Sequence, residues 1–464
     1  MSNYNLVVVG AGPGGYVAAI RAAQLGMKAC VVEATHLGGI CLNWGCIPTK
    51  ALLRTAEVYH TITHAEEYGI TVKDAKIDIS KIVKRSRDVS GKLSGGIKAL
   101  LKKNKVDVID GFAKFKDSKT LEISVDGKVT QTLSCKNIIL ATGARAKVIP
   151  GYEPDGKLVW TYREAMVPET MPKSIVVIGS GAIGIEFASF YLNLGAEVTL
   201  LEVAPRILIN EDKEIADFAR KSFEKQGMKI VTSANLKGLK KGSKDVTINY
   251  EADGKAASVT ADRIIMAVGI SPNTDKIAIE KTKIKLDAKG HVITNDYMQT
   301  EEPHIYAIGD VAGAPWLAHK ASHEGIIAVE KIAGKNPHKM NKLNIPGCTY
   351  SRPQIASVGI TEEKAKELKY DIKVGRFPFF GNGKAIALGE PEGLVKTIFD
   401  SKTGELLGAH MVGAEVTEMI QGYVIAKNME GTEEDLMHTV FPHPTLSEMM
   451  HESVLDAYKK AIHI

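Results

Sequence analysis

Residues 6–15 read LVVVGAGPGG, a short apolar strand that runs into a glycine turn, and residues 175–184 repeat the pattern as IVVIGSGAIG. A helical run follows each turn, YVAAIRAAQLG in the first case and IEFASFYLNLG in the second, and then a second strand that ends in an acid. That acid lies 23 residues after the first glycine both times, Gly10 to Glu33 and Gly179 to Glu202. Gly10, Gly12 and Gly15 let the backbone turn tightly and approach a pyrophosphate at the N–H groups of the helix head, and Gly179, Gly181 and Gly184 repeat the spacing. The acids are placed to accept hydrogen bonds from an adenosine ribose. The fold class expected is therefore α/β, with two Rossmann-like dinucleotide-binding domains. Two such units in one chain mean two dinucleotides, held so that electrons pass between them.

Glu202 favours a free ribose diol and repels a 2′-phosphate, so the second site reads as NAD, with Arg206 the nearest arginine that could weaken this. Glu186, two residues past Gly184, is expected near the nicotinamide end. Between the two units, residues 78–105 read as a polar helix and 106–140 as strands and turns, ending in NIILATGARAKVIPG. There Thr142 and Gly143 are expected where the backbone returns to the first cofactor. HIYAIGDVAG (304–313) places Asp310 after a strand as a second clamp on that cofactor, read as a flavin, and LAHKASHEGIIAVE (317–330) is expected as the helix behind the clamp.

The segment LGGICLNWGCIPTK (37–50) carries the only close pair among five cysteines, Cys41 and Cys46. Closing so short a loop adds little stability to a long chain, so the pair reads as a two-electron redox centre beside the first cofactor. An ideal helix would separate the two by about 7.5 Å along its axis, so local distortion is required. Cys30, Cys135 and Cys348 are left as core or spare thiols. Near the chain end, FPHPTLSEMMHESV (441–454) sets His443 between Pro442 and Pro444, with a cis bond before Pro444 open to it, and Glu448 five residues on. His443 reads as the base that makes a thiolate from a dithiol substrate, with Glu448 orienting its second ring nitrogen. His438 and His451 have weaker claims.

At 464 residues the chain calls for three or four domains. The boundaries expected are 1–150 and 273–341 for the first cofactor's domain and its completion, 151–272 for the second nucleotide, and 342–464 for an α+β C-terminal unit. A net charge of +5 with interleaved signs and 6% aromatics argues against nucleic acid as a partner. No membrane span and no basic leader is expected. The scattered cysteines fit a reducing cytoplasm, and no cluster has metal-ligand spacing.

With GGICLNWGCIPTK, IGSGAIGIE, AIGD, LAHKASHEG and FPHPTLSE in place, the whole chain resembles the dihydrolipoyl dehydrogenase family of flavoproteins, the E3 components of 2-oxoacid dehydrogenase complexes. The resemblance implies a homodimer with FAD, NAD, central and interface (dimerisation) domains. It implies FAD bound through Gly10, Gly12, Gly15, Glu33, Lys50, Thr142, Gly143, Asp310 and Ala318, and NAD through Gly179, Gly181, Gly184, Glu186, Glu202 and Gly269. It places Cys46 against the flavin, Cys41 toward the substrate, His443 and Glu448 in the partner subunit, and Lys50 with Glu186 near the flavin. The substrate implied is dihydrolipoamide on a lipoyl-bearing acyltransferase (E2). Trp44 stands where a small aliphatic residue is frequent, and Ile270 and Ser271 where basic residues are. The alternatives are an NAD(P)H-dependent reductase of glutathione or a similar disulfide, against which Glu202 counts, and a flavin-bearing scaffold without turnover. Mercuric reductase would need a further cysteine pair near the C-terminus, and none follows Cys348.

Overall fold

The computed structural model describes residues 2–464. The chain forms two compact units, one built from the segments up to Ala51, Ser80–Lys147 and Gly269–Met340, the other from Leu52–Ile79, Val148–Val268 and Asn341–Ile464.

In the first unit the chain runs through β1 (Ser2–Val9), α1 (Pro13–Gln24), β2 (Ala29–Glu33), α2 (Gly39–Trp44), α3 (Cys46–Thr63, whose residues from Leu52 onward count in the second unit), α4 (Ile79–Lys103), β3 (Asp107–Asp110), β4 (Phe112–Asp117), β5 (Thr120–Val125) and β6 (Lys128–Leu140). The sheet order is β3-β2-β1-β6-β5-β4, with the strand Ile305–Ala307 also paired to β6. Its β3-β2-β1-β6 portion and the 305–307 strand are parallel, in register through Val7↔Cys30, Val7↔Ile138 and Ile138↔Ile305. The inner parallel strands are buried on both faces, which is why LVVV and the IIL of 138–140 are apolar with no alternation, while the edge strand β3 is largely exposed. The meander β4-β5-β6 is antiparallel and does alternate, Phe115, Leu121, Ile123 and Leu133 facing a core beneath it. α1 lies against the helix Ala318–Ile332 at backbone distance, since a Cβ on Gly14 would stand 2.8 Å from the Ala321 carbonyl oxygen and one on Gly325 2.8 Å from that of Gly14.

The second unit contains the repeat. Strands Ser174–Ile178, Glu197–Leu201, Lys229–Val231, Arg263–Met266 and Val159–Trp160 make a parallel sheet, and Asn235–Lys241, Val246–Ala252 and Lys255–Ala261 an antiparallel one. Residues from 347 on build a separate antiparallel sheet of Gly347–Thr349, Gln354–Gly359, Leu406–Gly413, Leu394–Asp400 and Ile372–Pro378, covered by the helix Glu448–Ala457. That helix comes so close to the last strand that a Cβ on Gly375 would lie 1.8 Å from the Ser453 carbonyl oxygen. Two Rossmann-like sheets and an α+β C-terminal domain are thus the architecture read from the sequence.

A buried ionic cluster ties the nucleotide segment of this unit to its C-terminal sheet. Asp212 caps the helix Lys213–Lys225 by accepting from the Glu214 N–H, and it also receives the ammonium of Lys396 at 2.8 Å. Lys396, only 2% exposed, reaches Glu362 at 2.7 Å and Glu214 at 3.0 Å as well. No helix among the described residues is long and apolar enough to cross a membrane.

Candidate active site

The two glycine turns match at each of their three glycines. Gly10 and Gly179 both have φ near +101°, and a Cβ there would lie 2.3 Å from the Ala141 oxygen or 2.4 Å from that of Ala267. A Cβ on Gly15 or Gly184 would stand 1.9 Å from the carbonyl oxygen of the first glycine in its own turn. At Gly12 and Gly181, by contrast, a Cβ would meet no protein atom within 4 Å. These two residues are the N-caps of α1 and of the helix Ala182–Asn193, and neither cap donates or accepts through a side chain, nor is there an acid in either first turn. An uncapped helix head facing open space, with the glycine that borders it kept bare, fits a dinucleotide pyrophosphate at both places.

The terminal acids are bound to the turns they serve. Glu33 accepts from the N–H groups of Ala11 (2.7 Å) and Thr35 (2.8 Å), and Glu202 from those of Ser180 (2.8 Å) and Ala204 (2.8 Å). Each carboxylate keeps lone pairs for a ribose hydroxyl. Arg206 does not compete for a phosphate: its guanidinium pairs with Glu363 at 2.8 Å and donates to the carbonyls of Ile209 and Glu211. Glu186 is buried and accepts from the Tyr350 N–H at 3.0 Å.

Thr142 and Gly143 follow β6 directly, as expected from ATGAR. The Thr142 hydroxyl donates to the Asn273 carbonyl and the Asn273 amide donates back to that of Thr142, which fixes the turn. Gly143 has φ +66° and open space at its Cβ position. Gly269 (φ +106°) has open space too, and the strand Ile270–Pro272 that follows pairs antiparallel with Ala144–Ala146, so Ile270 and Ser271 belong to a small ribbon of the first unit.

Asp310 stands in the 3-10 turn Gly309–Ala312, and Ala318 opens the helix behind it. Burial raises the Asp310 carboxyl, with Lys320 and His291 pulling it back. What holds the turn is a pair that the sequence reading passed over. Lys320, 2% exposed, bonds Glu324 at 3.0 Å and donates to the Gly313 carbonyl at 2.8 Å, while Glu324 accepts from the Gly309 N–H at 2.7 Å. The signal was present as a Lys and a Glu four residues apart on the face of a helix that also carries Ala321 and Ala328 to the core.

The cysteine segment is anchored on the first glycine turn: the Gly38 N–H donates to the Ala11 carbonyl at 2.8 Å, and a Cβ on Gly39 would lie 2.7 Å from Gly12 Cα. Cys41 is in α2 and Cys46 begins α3, separated by Gly45 with φ −150° and ψ −117°. That break is the local distortion the spacing demanded. Both sulfurs are thiols in this structure. A hydrogen bond to Cys46, first, and burial, second, push the Cys41 thiol up, and the nearby Lys50 ammonium pulls it down. Lys50 sits one helical turn beyond Cys46 on α3.

His443 and Glu448 belong to the second unit. The His443–Pro444 bond is cis, as the sequence allowed. His443 Nδ1 meets Glu448 Oε1 at 2.9 Å while its side chain stays 80% exposed. The Thr445 N–H donates to Glu448 Oε2 at 2.8 Å. Burial opposes ionisation of Glu448, but this N–H and the imidazole outweigh it and hold the carboxyl below its usual range. His451 instead bonds the Met437 carbonyl and His438 faces Glu434 at the surface, so neither shares this arrangement. Among the described residues no cluster of His, Cys, Asp and Glu could hold a metal ion.

Comparison with known proteins agrees with this geometry. The pyridine nucleotide-disulphide oxidoreductase model matches residues 4–325, and the dimerisation domain of the same oxidoreductases matches residues 345–454. The chain is 56% identical to the dihydrolipoyl dehydrogenase of Rhizobium etli and 54% identical to that of Zymomonas mobilis, each alignment covering 99% of both chains. Among solved structures it resembles LpdA from Mycobacterium tuberculosis (TM-score 0.90, 25% identity, 98% of this chain and 99% of that one). It also resembles the Cu(II) complex of the HOCl-induced flavoprotein disulfide reductase RclA from Escherichia coli (TM-score 0.88, 26% identity, 98% and 99%). The chain belongs to the pyridine nucleotide-disulphide oxidoreductases.

Proposed function

We propose, from this membership and from the site, that the chain is a homodimeric dihydrolipoyl dehydrogenase that oxidises dihydrolipoamide to lipoamide with NAD+ as acceptor. The observation that carries the reading is the cysteine pair laid on the first glycine turn, with Gly38 bonded to Ala11 and Gly39 against Gly12. A redox pair in that place exchanges electrons with whatever the turn binds.

FAD fits the first site, held by Gly10, Gly12, Gly15, Glu33, Lys50, Thr142, Gly143, Asp310 and Ala318, and when bound it supplies a two-electron link between the dithiol and the nicotinamide. NAD fits the second, through Gly179, Gly181, Gly184, Glu186 and Glu202. Glu202 and the engagement of Arg206 by Glu363 support NAD over NADP and count against an NADPH-dependent reductase.

His443 removes a proton from one substrate thiol through Nε2, the ring nitrogen left over when Nδ1 faces Glu448. Glu448, kept ionised, fixes the ring and stabilises the imidazolium. The substrate thiolate attacks Cys41 Sγ of the oxidised pair, and Cys46 leaves as a thiolate, stabilised by Lys50. The second substrate thiol attacks the first sulfur, closes the lipoamide disulfide and expels Cys41 as a thiolate, which takes up the proton the second thiol loses. The enzyme then holds the two electrons as a Cys41 thiol and a Cys46 thiolate, with the first substrate proton on His443, and their transfer to NAD+ gives NADH and H+ with the disulfide restored. His443 and Glu448 are read as acting on the cysteines of the partner subunit, and a lipoyl-bearing acyltransferase (E2) as presenting the substrate in the cytoplasm. Residues 1–150, 151–272, 273–341 and 342–464 are read as FAD, NAD, central and interface domains.

The test is the initial rate of NAD+ reduction by dihydrolipoamide with the purified flavoprotein. Rapid turnover is expected; no turnover by an FAD-loaded dimer that still cycles its cysteines would redirect the reading to another disulfide substrate.

A further inference from the structure

α4 crosses beside the redox segment and grips it from one side. Arg87 donates to the Asn43 carbonyl at 2.6 Å, and its guanidinium lies over the Trp44 ring, 4.6 Å from the centroid. Ser94, two turns further along α4, donates to Asn43 Oδ1 at 3.0 Å, and the Asn43 amide in turn bonds the carbonyls of Leu37 (3.0 Å) and Gly39 (2.8 Å). The head of α3 is fastened to the same helix: Arg85 donates to the Ala51 carbonyl at 2.8 Å, and Ser86 to that of Pro48 at 3.4 Å. One helix thus fixes both short segments that bear the sulfurs, Cys41 through α2 and Cys46 through the start of α3.

We propose that Arg87, seated on Trp44, is a positioning residue that sets the reduction potential of the Cys41–Cys46 pair. α2 has six residues, too few to be stable as a helix alone, and the chain turns on either side of it at Gly38–Gly39 and Gly45. Its place therefore depends on what grips it. Reduction of the pair breaks the S–S bond, takes up two electrons and two protons, and frees α2 from its covalent tie. With the clamp in place the two thiols stay adjacent, so reoxidation has a high effective concentration. Without it Cys41 drifts, the dithiol gains freedom, and the disulfide becomes easier to reduce. Lysine in place of Arg87 keeps a cation over the ring but cannot match the planar guanidinium in stacking on indole while donating to a carbonyl. Trp44, which differs from the small aliphatic residue frequent there, acquires a role as the platform of the clamp.

The inference rests on the redox reading of the pair but is tested without the dihydrolipoamide reaction. FAD-loaded wild type, Arg87→Met, Arg87→Lys and Trp44→Leu are equilibrated anaerobically in a series of reduced and oxidised dithiothreitol ratios, acid-quenched and alkylated, and the fraction of the Cys41–Cys46 disulfide is read by mass spectrometry. Expected is a tenfold shift of the equilibrium toward the dithiol in Arg87→Met, about 30 mV less negative for a two-electron couple. Arg87→Lys should fall between that variant and wild type, and Trp44→Leu should shift the same way. Arg87→Met titrating with wild type would overturn the inference. If Arg87→Met does not retain FAD, Trp44→Leu decides, and an unshifted titration there overturns it equally. Wild type that forms no Cys41–Cys46 disulfide at any ratio overturns the redox reading itself, and the clamp's role with it.

Discussion

Lys320→Met is the substitution whose consequence the structure fixes most closely. Lys320 and Glu324 form an ion pair 1% and 3% exposed, and the pair holds both ends of the Gly309–Gly313 turn that carries Asp310. Methionine has nearly the length of the lysine stem and leaves little cavity, so the main effect is a buried carboxylate stripped of its cation. Removing one partner of such a pair costs roughly 3–5 kcal/mol. The Gly313 carbonyl loses its donor as well, adding about 1 kcal/mol. Asp310, whose carboxyl burial already raises, loses one of the two charges that lower it and rises further. The sign follows from linkage. A carboxyl raised in the fold is one whose ionisation disfavours the fold, so its penalty is absent at low pH and complete once the pH passes the raised value. The deficit of Lys320→Met is therefore largest at neutral pH and shrinks as the solution is acidified. Thermal unfolding of the FAD-loaded enzyme, followed with flavin release, measures it: a midpoint lowered by more than about 6 °C at pH 7 is expected, with earlier release of FAD. Lys320→Met/Glu324→Gln is the control. Glutamine still accepts from the Gly309 N–H and carries no charge, so most of the loss should return. A single variant within about 1 kcal/mol of wild type, or a double variant no better than the single, would refute the ion-pair account of this turn.

Three other outcomes follow from the geometry. Lys396→Met should destabilise the second unit by roughly 3 kcal/mol. Burial opposes the ionisation of Asp212, Glu214 and Glu362, yet Lys396 helps to hold all three below the usual carboxylate range, so the variant's deficit should appear in full at neutral pH and diminish below about pH 4; equal deficits at both pH values in thermal unfolding would contradict this. Gly12→Ala places a Cβ in space free of protein atoms, so apoprotein stability should hold while FAD affinity falls tenfold or more by flavin-fluorescence titration, whereas Gly15→Ala, with its 1.9 Å clash, should damage the fold itself. His443→Gln should lower dihydrolipoamide-dependent kcat/KM by about 100-fold or more while leaving the flavin absorbance intact; near-normal activity would remove His443 as the base.

The two glycine turns, their acids and the cysteine pair were legible because each depends on residue type at fixed spacing within one supersecondary unit. Only glycine survives φ near +101° against the Ala141 or Ala267 carbonyl, and that constraint is written into the chain at Gly10 and Gly179. Helix geometry likewise forces a break between Cys41 and Cys46, and Gly45 makes it. The pairing of His443 with Glu448 could be anticipated because a rigid Pro-His-Pro run and a helix start lie within six residues.

The tertiary structure decided what arrives from elsewhere in the chain. Arg206 is no phosphate ligand, because Glu363, 157 residues away, holds its guanidinium. Residues 78–105 read as a polar helix, and what the sequence does not show is that Arg87 and Ser94 turn onto Asn43 and Trp44. Lys320 and Glu324 lie in a helix expected behind the clamp, but their burial as an ion pair is set by the turn they hold; Lys396 gave no local sign of gathering three carboxylates from distant segments. Local spacing encodes backbone shape, because sterics act over a few residues. A buried charge is tolerated only where partners from several segments meet, and that meeting exists only in the folded chain.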